Sequence, residues 1–181
     1  MKIICFGDSN TWGYDPRGYF GGRYDAPWPE LLGEMTGWSV INQGENGRKI
    51  PGSPVFFPED TDLLILMLGT NDLLQGNSPS TVAIRMEAFL SRQNREVLLI
   101  APPPMKPGQW VSGPQLIDAS RELEGRYAAL ARPGVEFLRA GEWDIPLCFD
   151  GVHFTEEGHR RFAEGVARYL KQSPGKFVNK L

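Results

Sequence analysis

The chain is poor in cysteine and carries none of the common metal-binding motifs. Cys5 and Cys148 are its only cysteines in 181 residues. Two cysteines are too few for a disulfide framework and fit a reducing compartment, so we expect a cytoplasmic protein. There is also no Cys-x-x-Cys, no His-Glu-x-x-His and no glycine-rich phosphate loop. We therefore expect neither a metal ion nor an organic cofactor.

Long apolar runs and basic runs are also missing. No stretch approaches the roughly 20 apolar residues of a membrane-spanning helix, so we expect no membrane span. The first strand reaches Gly7 and Asp8 too early for a signal peptide. The net charge is −3 and no basic cluster occurs, which argues against nucleic acid as a partner.

The remaining composition is that of one globular domain. Hydrophobic residues make up 41% of the chain and charged residues 23%, which is ordinary for a folded protein. A chain of this length buries about 70% of its unfolded surface, so its fold needs no disulfide bond or metal ion for stability. We therefore treat residues 1–181 as a single domain.

Short apolar runs alternate with stretches of helical periodicity along the chain. The runs predict strands at residues 3–6, 38–42, 62–68, 97–101 and 135–138. Helices are expected at 28–35, 79–94, 114–130 and from Thr155 to about residue 170, where Ser78 and Thr155 act as N-caps. The segment between Thr11 and Pro27 has no period and is predicted to be a long loop. This alternation indicates an α/β protein with a parallel sheet.

Loops at the carboxyl ends of parallel strands form the ligand crevice of such a fold. Three of these loops carry similar polar residues: Gly7-Asp8-Ser9-Asn10, Asn42-Gln43-Gly44-Glu45-Asn46-Gly47 and Gly69-Thr70-Asn71-Asp72. We expect the three to meet at one edge of the sheet. Glycine and asparagine are also common turn residues, so each loop alone is weak support for a site.

Ser9 is the candidate nucleophile, because a serine just past a strand end presents its hydroxyl. The backbone amides of Ser9 and Gly44 and the side-chain amide of Asn71 are candidate donors to an oxyanion. Taken singly, each glycine is better explained as a turn residue, and the case for a site depends on the three loops together.

Only two histidines are present, so the candidates for a general base are few. In Asp150-Gly151-Val152-His153 the spacing lets the Asp150 carboxylate reach one ring nitrogen of His153 and leaves the other for Ser9. His159 lies on an apolar helical face and is expected to be structural. Asp8 is expected to bind loop amides and Asp72 to shape its turn or cap the segment that follows.

Aromatic and basic side chains near the crevice are candidates for substrate binding. Trp12 and Trp110 can wall an apolar pocket, or they can anchor their loops by packing. Arg48 can add polarity for a substrate, or it can be a solvated surface arginine. The aromatic segment between Thr11 and Pro27 can also form a lid or a contact between identical subunits.

These residues together resemble the SGNH hydrolases, also called GDSL-like lipases and acylhydrolases. Gly7-Asp8-Ser9-Asn10 is similar to the first family block, with Asn10 in place of the usual leucine. Gly44 is similar to the second block, Gly69-Thr70-Asn71-Asp72 to the third and Asp150-Gly151-Val152-His153 to the fifth. Thr11-Trp12-Gly13 resembles the small bacterial arylesterase and acyltransferase branch.

The resemblance implies a three-layer α/β/α sandwich of flavodoxin-like type, with a mainly parallel sheet of about five strands. It implies Ser9 as nucleophile, His153 as base, Asp150 as its orienter, and an oxyanion hole of Ser9, Gly44 and Asn71. The expected reaction is cleavage of a small carboxylic ester through an acyl-Ser9 intermediate, with acyl transfer to alcohols as a variant. A carbohydrate O-deacetylase, a non-catalytic binding module and a flavin carrier are the alternatives.

Overall fold

The structure, a computed structural model, describes residues 1–172. The strands and helices in this part of the chain are, in order, β1 (Lys2–Gly7), α1 (Ser9–Trp12), β2 (Tyr14–Asp15), β3 (Gly22–Arg23), α2 (Trp28–Thr36), β4 (Ser39–Gly44), β5 (Leu63–Met67), α3 (Thr70–Leu74), α4 (Pro79–Leu90), β6 (Val97–Ile100), α5 (Pro114–Ala128), β7 (Val135–Leu138) and α6 (Glu156–Gln172).

Five of the strands form one sheet, in the order β4-β1-β5-β6-β7, and every neighbouring pair is parallel. The register pairs Gly7 at the end of β1 with Gly44 of β4 and with Met67 of β5. The carboxyl ends of these three strands therefore lie side by side. The expected parallel α/β sheet is confirmed, and the three polar loops leave it at the same edge.

Alternate residues of β1 face the two sides of the sheet. Ile4 and Phe6 belong to one core and Ile3 and Cys5 to the other. Side chains of α4 and α5 complete the first core, whereas those of α2 and α6 complete the second. Strands covered on both faces read as continuous apolar runs, and β5 and β6 and most of β1 appear this way in the sequence.

The helix starts follow the capping signals in the sequence. The hydroxyl of Ser78 accepts a hydrogen bond from the N–H of Thr81 at 3.2 Å, and Pro79 is the first residue of α4. The hydroxyl of Thr155 accepts from the N–H of Gly158 at 3.0 Å before α6. Both predicted caps are confirmed, because each oxygen satisfies an N–H that has no partner within its helix.

Two regions differ from the predicted elements. The segment between Thr11 and Pro27 is not a plain loop. Its first residues belong to the helix α1, which ends at Trp12. Tyr14 and Asp15 then pair with Arg23 and Gly22 as a small antiparallel hairpin. Two-residue strands carry no detectable alternation, so the sequence pattern does not show them.

The third polar loop also continues into the five-residue helix α3, which is too short for a helical period to appear. Two predicted helices are shorter than expected, since α4 ends at Leu90 and α5 at Ala128. After α4 the chain makes tight turns, with Gln93 N–H donating to the Leu90 carbonyl. These turns extend the apparent helical pattern. No helix within residues 1–172 combines the length and apolar character that crossing a bilayer requires.

Candidate active site

Ser9 lies at the start of the short helix α1, directly after β1. The carboxylate of Asp8 caps this helix and accepts a hydrogen bond from the N–H of Asn10 at 3.0 Å. Ser9 is therefore the first residue of α1, and its own N–H has no partner within the helix. The side chain is only 7% exposed, so the hydroxyl is held in place rather than left free at the surface.

His153 meets Ser9 from the other end of the chain. Its Nε2 atom lies 2.9 Å from the Ser9 Oγ atom, and its Nδ1 atom lies 2.7 Å from Oδ2 of Asp150. An ionised carboxylate only accepts hydrogen bonds, so Nδ1 carries the hydrogen and donates it to Asp150. This tautomer leaves the lone pair of Nε2 directed at the hydroxyl of Ser9.

The carboxylate of Asp150 is fully buried and held in its ionised form. Its Oδ1 atom accepts from the N–H groups of Val152 and His153 at 2.9 and 3.0 Å. Burial alone would raise the pKa of Asp150, but the bonds from the His153 ring and from these two N–H groups lower it below its usual value. The three residues form a continuous hydrogen-bonded chain from carboxylate to hydroxyl.

Asp8 is a second buried carboxyl close to this chain and is 1% exposed. Burial raises its pKa to about 6, although the Asn10 N–H, the nearby His153 and the Thr70 hydroxyl act in the opposite direction. The expectation that Asp8 binds loop amides is confirmed by its bond to Asn10. The pKa of Asp8 is raised because its carboxyl group is buried, and the sequence alone does not show this burial.

Asn71 lies in α3 and is anchored by its side chain. One hydrogen of its Nδ2 group goes to the carbonyl of Arg48 at 3.0 Å, which leaves the second hydrogen for another acceptor. Asp72, the next residue, is completely buried and is bound by Ile50 N–H at 3.0 Å and by Arg85 at 2.9 Å. The third polar loop is thus tied to the segment that follows the second.

The Gly44 N–H is not free, although the predicted role as an oxyanion donor requires a free N–H. Its N–H donates to Oδ1 of Asn42 at 2.8 Å, which engages the hydrogen that an oxyanion would need. A Cβ atom at Gly44 would also overlap the main chain of Trp12, so the glycine allows α1 to lie against β4. Both facts explain the glycine structurally and count against its role as an oxyanion donor.

Gly47 is a residue that the sequence reasoning passed over. No hydrogen bond to its N–H occurs within residues 1–172, and the next carbonyl, that of Arg48, is the one that Asn71 binds. A free backbone N–H therefore lies one residue from the anchor of Asn71. The only signal in the sequence is that Gly44-Glu45-Asn46-Gly47 contains two glycines, and the pattern alone does not distinguish them.

His159 lies in α6 and does not contact Ser9. Its Nδ1 atom accepts from the N–H of Trp28 at 3.3 Å, and its ring packs against Tyr24 and Phe154. Burial, with a smaller contribution from the positive charge of Arg23, lowers the pKa of His159 to about 3. The ring is neutral and structural in this position.

The candidate binding residues are divided between the site and the scaffold. Trp110 packs edge-on against the His153 ring at 5.1 Å, and Tyr14 lies on the same ring at 4.7 Å. Trp12 instead lies under the guanidinium of Arg23, at 5.7 Å from its ring centroid. The structure gives Trp12 no contact with His153 in the described part of the chain.

Arg48 is not a solvated surface arginine. Its guanidinium donates to the carbonyls of Gly7 and Gln43, pairs with Glu45 and lies 4.2 Å above the ring of Phe6. These contacts tie the end of β1 to the loop after β4. Most of its hydrogen-bonding capacity is therefore used within the fold.

Within residues 1–172 no cluster of three His, Cys, Asp or Glu side chains is arranged to hold a metal ion.

The family model of the GDSL-like lipases and acylhydrolases matches residues 5–161. No significant match occurs among curated proteins.

Solved structures give several matches over nearly the whole chain. The M. smegmatis aryl esterase is 29% identical, with a TM-score of 0.78 and coverage of 94% of this chain and 98% of that chain. Est24, a carbohydrate acetylesterase from Sinorhizobium meliloti, is 26% identical, with a TM-score of 0.78 and the same coverage of 94% and 98%. A member of the lipolytic G-D-S-L family from Veillonella parvula is 25% identical, with a TM-score of 0.70 and coverage of 95% and 99%.

Proposed function

The chain belongs to the GDSL-like lipase/acylhydrolase family, and on this basis we propose that it is a serine esterase that cleaves small carboxylic esters. The observation that carries the proposal is the hydrogen-bonded chain of Asp150, His153 and Ser9, with contacts of 2.7 and 2.9 Å. This arrangement matches what a serine nucleophile requires: a base within hydrogen-bond reach and a carboxylate that orients the base.

In the first half of the proposed reaction, Ser9 Oγ attacks the ester carbonyl carbon while Nε2 of His153 takes the hydroxyl proton. The bond between that carbon and the alkoxy oxygen then breaks, and Nε2 returns the proton to this oxygen. An alcohol leaves and an acyl-Ser9 ester remains. Asp150 stays ionised and stabilises the imidazolium that forms between the two steps.

In the second half, a water molecule attacks the acyl-Ser9 carbonyl and gives a proton to His153. The bond to Ser9 Oγ breaks, Oγ takes the proton back, and a carboxylic acid is released. An alcohol in the place of water would give a new ester by the same steps. We therefore propose acyl transfer as a side reaction of the same site.

The developing oxyanion needs donors on the opposite side of the carbonyl from the base. We propose that the Ser9 N–H, the second hydrogen of Asn71 Nδ2 and the Gly47 N–H supply them. The first two are the donors expected from the sequence. Gly47 takes the place of Gly44, because the Gly44 N–H is already bound to Asn42.

The rings of Trp110 and Tyr14 beside His153 support an apolar or ring-shaped group in the substrate. An aryl ester and an acetylated sugar both present such a ring, and the structural neighbours include an aryl esterase and a carbohydrate acetylesterase. We propose small acyl esters with hydrophobic alcohols as the main substrates and carbohydrate O-deacetylation as the alternative. Trp12 and Arg48 remain weaker candidates, because both are engaged in scaffold contacts.

A panel of esters tests these alternatives. We expect p-nitrophenyl acetate to be hydrolysed and the rate to fall with longer acyl chains. A Trp110→Ala variant should raise KM for aryl esters more than for ethyl acetate. Faster release of acetate from acetylated sugars than from any aryl ester would favour the deacetylase. If no ester is cleaved and a fluorophosphonate fails to react, the chain is a binding module on this fold.

The tip of the hairpin supports one further proposal, self-association. Tyr19 and Phe20 are 95% and 93% exposed and pack on each other with ring centroids 4.8 Å apart. Exposed aromatics are common in subunit contacts. Sedimentation of the protein beside a Tyr19→Ser/Phe20→Ser variant tests this, and equal masses for the two would contradict it.

We also propose a cytoplasmic location, because two cysteines are too few for a disulfide framework and fit a reducing compartment.

A further inference from the structure

Asn10, the residue after the nucleophile, bonds to the main chain on both sides of His153. Its Nδ2 group donates to the carbonyl of Val152 at 3.0 Å, and its Oδ1 atom accepts from the N–H of Phe154 at 2.8 Å. The asparagine side chain is 3% exposed, and the two residues that it binds are 4% and 1% exposed. One buried carboxamide thus spans the main chain of the histidine.

The other main-chain groups around His153 are bound from within its own loop. The N–H groups of Val152 and His153 both donate to Oδ1 of Asp150, and the His153 carbonyl accepts from Cys148 N–H at 2.7 Å. The loop therefore fixes its own shape through Asp150. Within residues 1–172, the two bonds of Asn10 and the contact between His153 Nε2 and Ser9 Oγ are the hydrogen bonds that tie this loop to α1, and only the Asn10 bonds hold its main chain.

We propose that Asn10 is a positioning residue that sets the distance between Ser9 and the ring of His153. The role assigned to His153 rests on the proposed function, whereas the positioning itself is a property of the structure. Ser9 and Asn10 are neighbours in α1, so the segment that supplies the hydroxyl also supplies the clamp. Any shift of the helix carries nucleophile and clamp together and preserves the 2.9 Å contact between Oγ and Nε2.

The positioning role explains why an asparagine stands at residue 10, where the first block of the family usually has leucine. The resemblance described above places leucine at the position of Asn10 in the usual first block. A leucine offers neither a donor nor an acceptor, so it would leave the Val152 carbonyl and the Phe154 N–H buried without these partners. The loop would have to move to recover hydrogen bonds. A displacement of about 1 Å at a reacting group can lower the rate about 100-fold.

The effect of Asn10 should fall on turnover rather than on substrate binding. Both of its bonds go to main-chain atoms of the loop, and neither ends on Ser9, Asn71 or another group proposed to touch the substrate. A displaced imidazole weakens proton transfer from Ser9 and leaves the binding contacts in place. We therefore expect kcat to fall and KM to stay nearly constant.

The first test compares Asn10→Leu with a matched variant, Gln93→Leu. Gln93 also donates from a carboxamide to a main-chain carbonyl, that of Phe89 at 3.2 Å, but it lies beyond the end of α4. We expect kcat for p-nitrophenyl acetate to fall 10- to 100-fold in Asn10→Leu and less than twofold in Gln93→Leu. Equal kcat values for Asn10→Leu and wild type, or equal losses in both variants, would overturn the proposal.

The second test does not depend on activity. The His153 Nδ1 hydrogen in its 2.7 Å bond to Asp150 should give a downfield proton resonance, assigned by its absence in His153→Gln. We expect Asn10→Leu to shift or broaden this resonance and Gln93→Leu to leave it unchanged. An identical resonance in Asn10→Leu would contradict the positioning role even if the wild type proved inactive, an outcome that would separately refute the proposed function.

An isosteric variant covers the case in which Asn10→Leu does not fold. Asn10→Asp keeps an oxygen for the Phe154 N–H and loses the donor to the Val152 carbonyl. We expect a smaller but measurable fall in kcat, of about fivefold or more, and a shifted Nδ1 resonance. Wild-type values for both quantities would overturn the proposal.

Discussion

Gly108 lies directly against the main chain of Asp150. A Cβ atom at this glycine would overlap the carbonyl carbon and oxygen of Asp150 and the nitrogen of Gly151. The same stretch is held by hydrogen bonds, from Trp110 N–H to the Asp150 carbonyl and from Lys106 N–H to the Gly151 carbonyl, both at 3.0 Å. The loop before α5 therefore packs against the backbone that orients the histidine.

Gly108→Ala should lower esterase activity although residue 108 touches no reacting atom. The added methyl group meets main-chain atoms, which cannot rotate away, so the Asp150 loop must shift. We expect kcat/KM for p-nitrophenyl acetate to fall about 10- to 100-fold. Gly125→Ala is the matched control, because that site is exposed within α5 and nothing lies near its Cβ position. The control should keep full activity and gain about 0.5–1 kcal/mol of stability. Full activity in Gly108→Ala would show that the contact does not matter.

His159 should make the protein less stable in acid. Its folded-state pKa of about 3 lies below the ordinary value of 6.5. Between these values the unfolded state binds more protons, so the free energy of unfolding rises with pH by up to about 1.4 kcal/mol per unit. The difference in this free energy between wild type and His159→Gln should rise from pH 3 to 6.5 and then level off. Denaturant titrations at several pH values measure it. A difference that does not change with pH would show that the folded-state pKa is normal.

Asp8 should act in the opposite direction. Its folded-state pKa of about 6 lies above the ordinary value of 3.8, so the folded state binds more protons between these values. The stability that Asp8 contributes is present below about pH 4 and is lost as the pH rises through 6. Relative to Asp8→Asn, wild type should therefore lose stability over this interval. The same titrations test the sign, and a rising difference would contradict the burial argument.

The sheet was predictable from the sequence because burial on both faces leaves an unmistakable mark. The run around Leu64 and Leu66 is apolar at every position, and the strand was found within one residue at each end. The caps at Ser78 and Thr155 were equally visible, because capping depends on local residue types. The hairpin and α3 were missed, since elements of two to five residues carry no period.

The sequence predicted which residues form the candidate site, but it did not predict the individual hydrogen bonds that depend on the three-dimensional structure. The spacing of Asp150 and His153 limited the possible partners, and the order of the strands brought Ser9 to them. Which of two glycines keeps a free N–H depends on the side chain of Asn42, and the clamp by Asn10 joins residues 142 and 144 positions apart. No local pattern encodes such contacts.

Reaction of Ser9 with a fluorophosphonate, read by intact-protein and peptide mass spectrometry, tests the central claim most directly. We expect wild type to gain one phosphonyl group on the peptide that contains Ser9, with parallel loss of p-nitrophenyl acetate hydrolysis. Ser9→Ala should stay unlabelled, remain folded and lose about 10⁴-fold or more in kcat. A label on another residue, or a Ser9→Ala variant that hydrolyses the ester at the wild-type rate, would contradict the account.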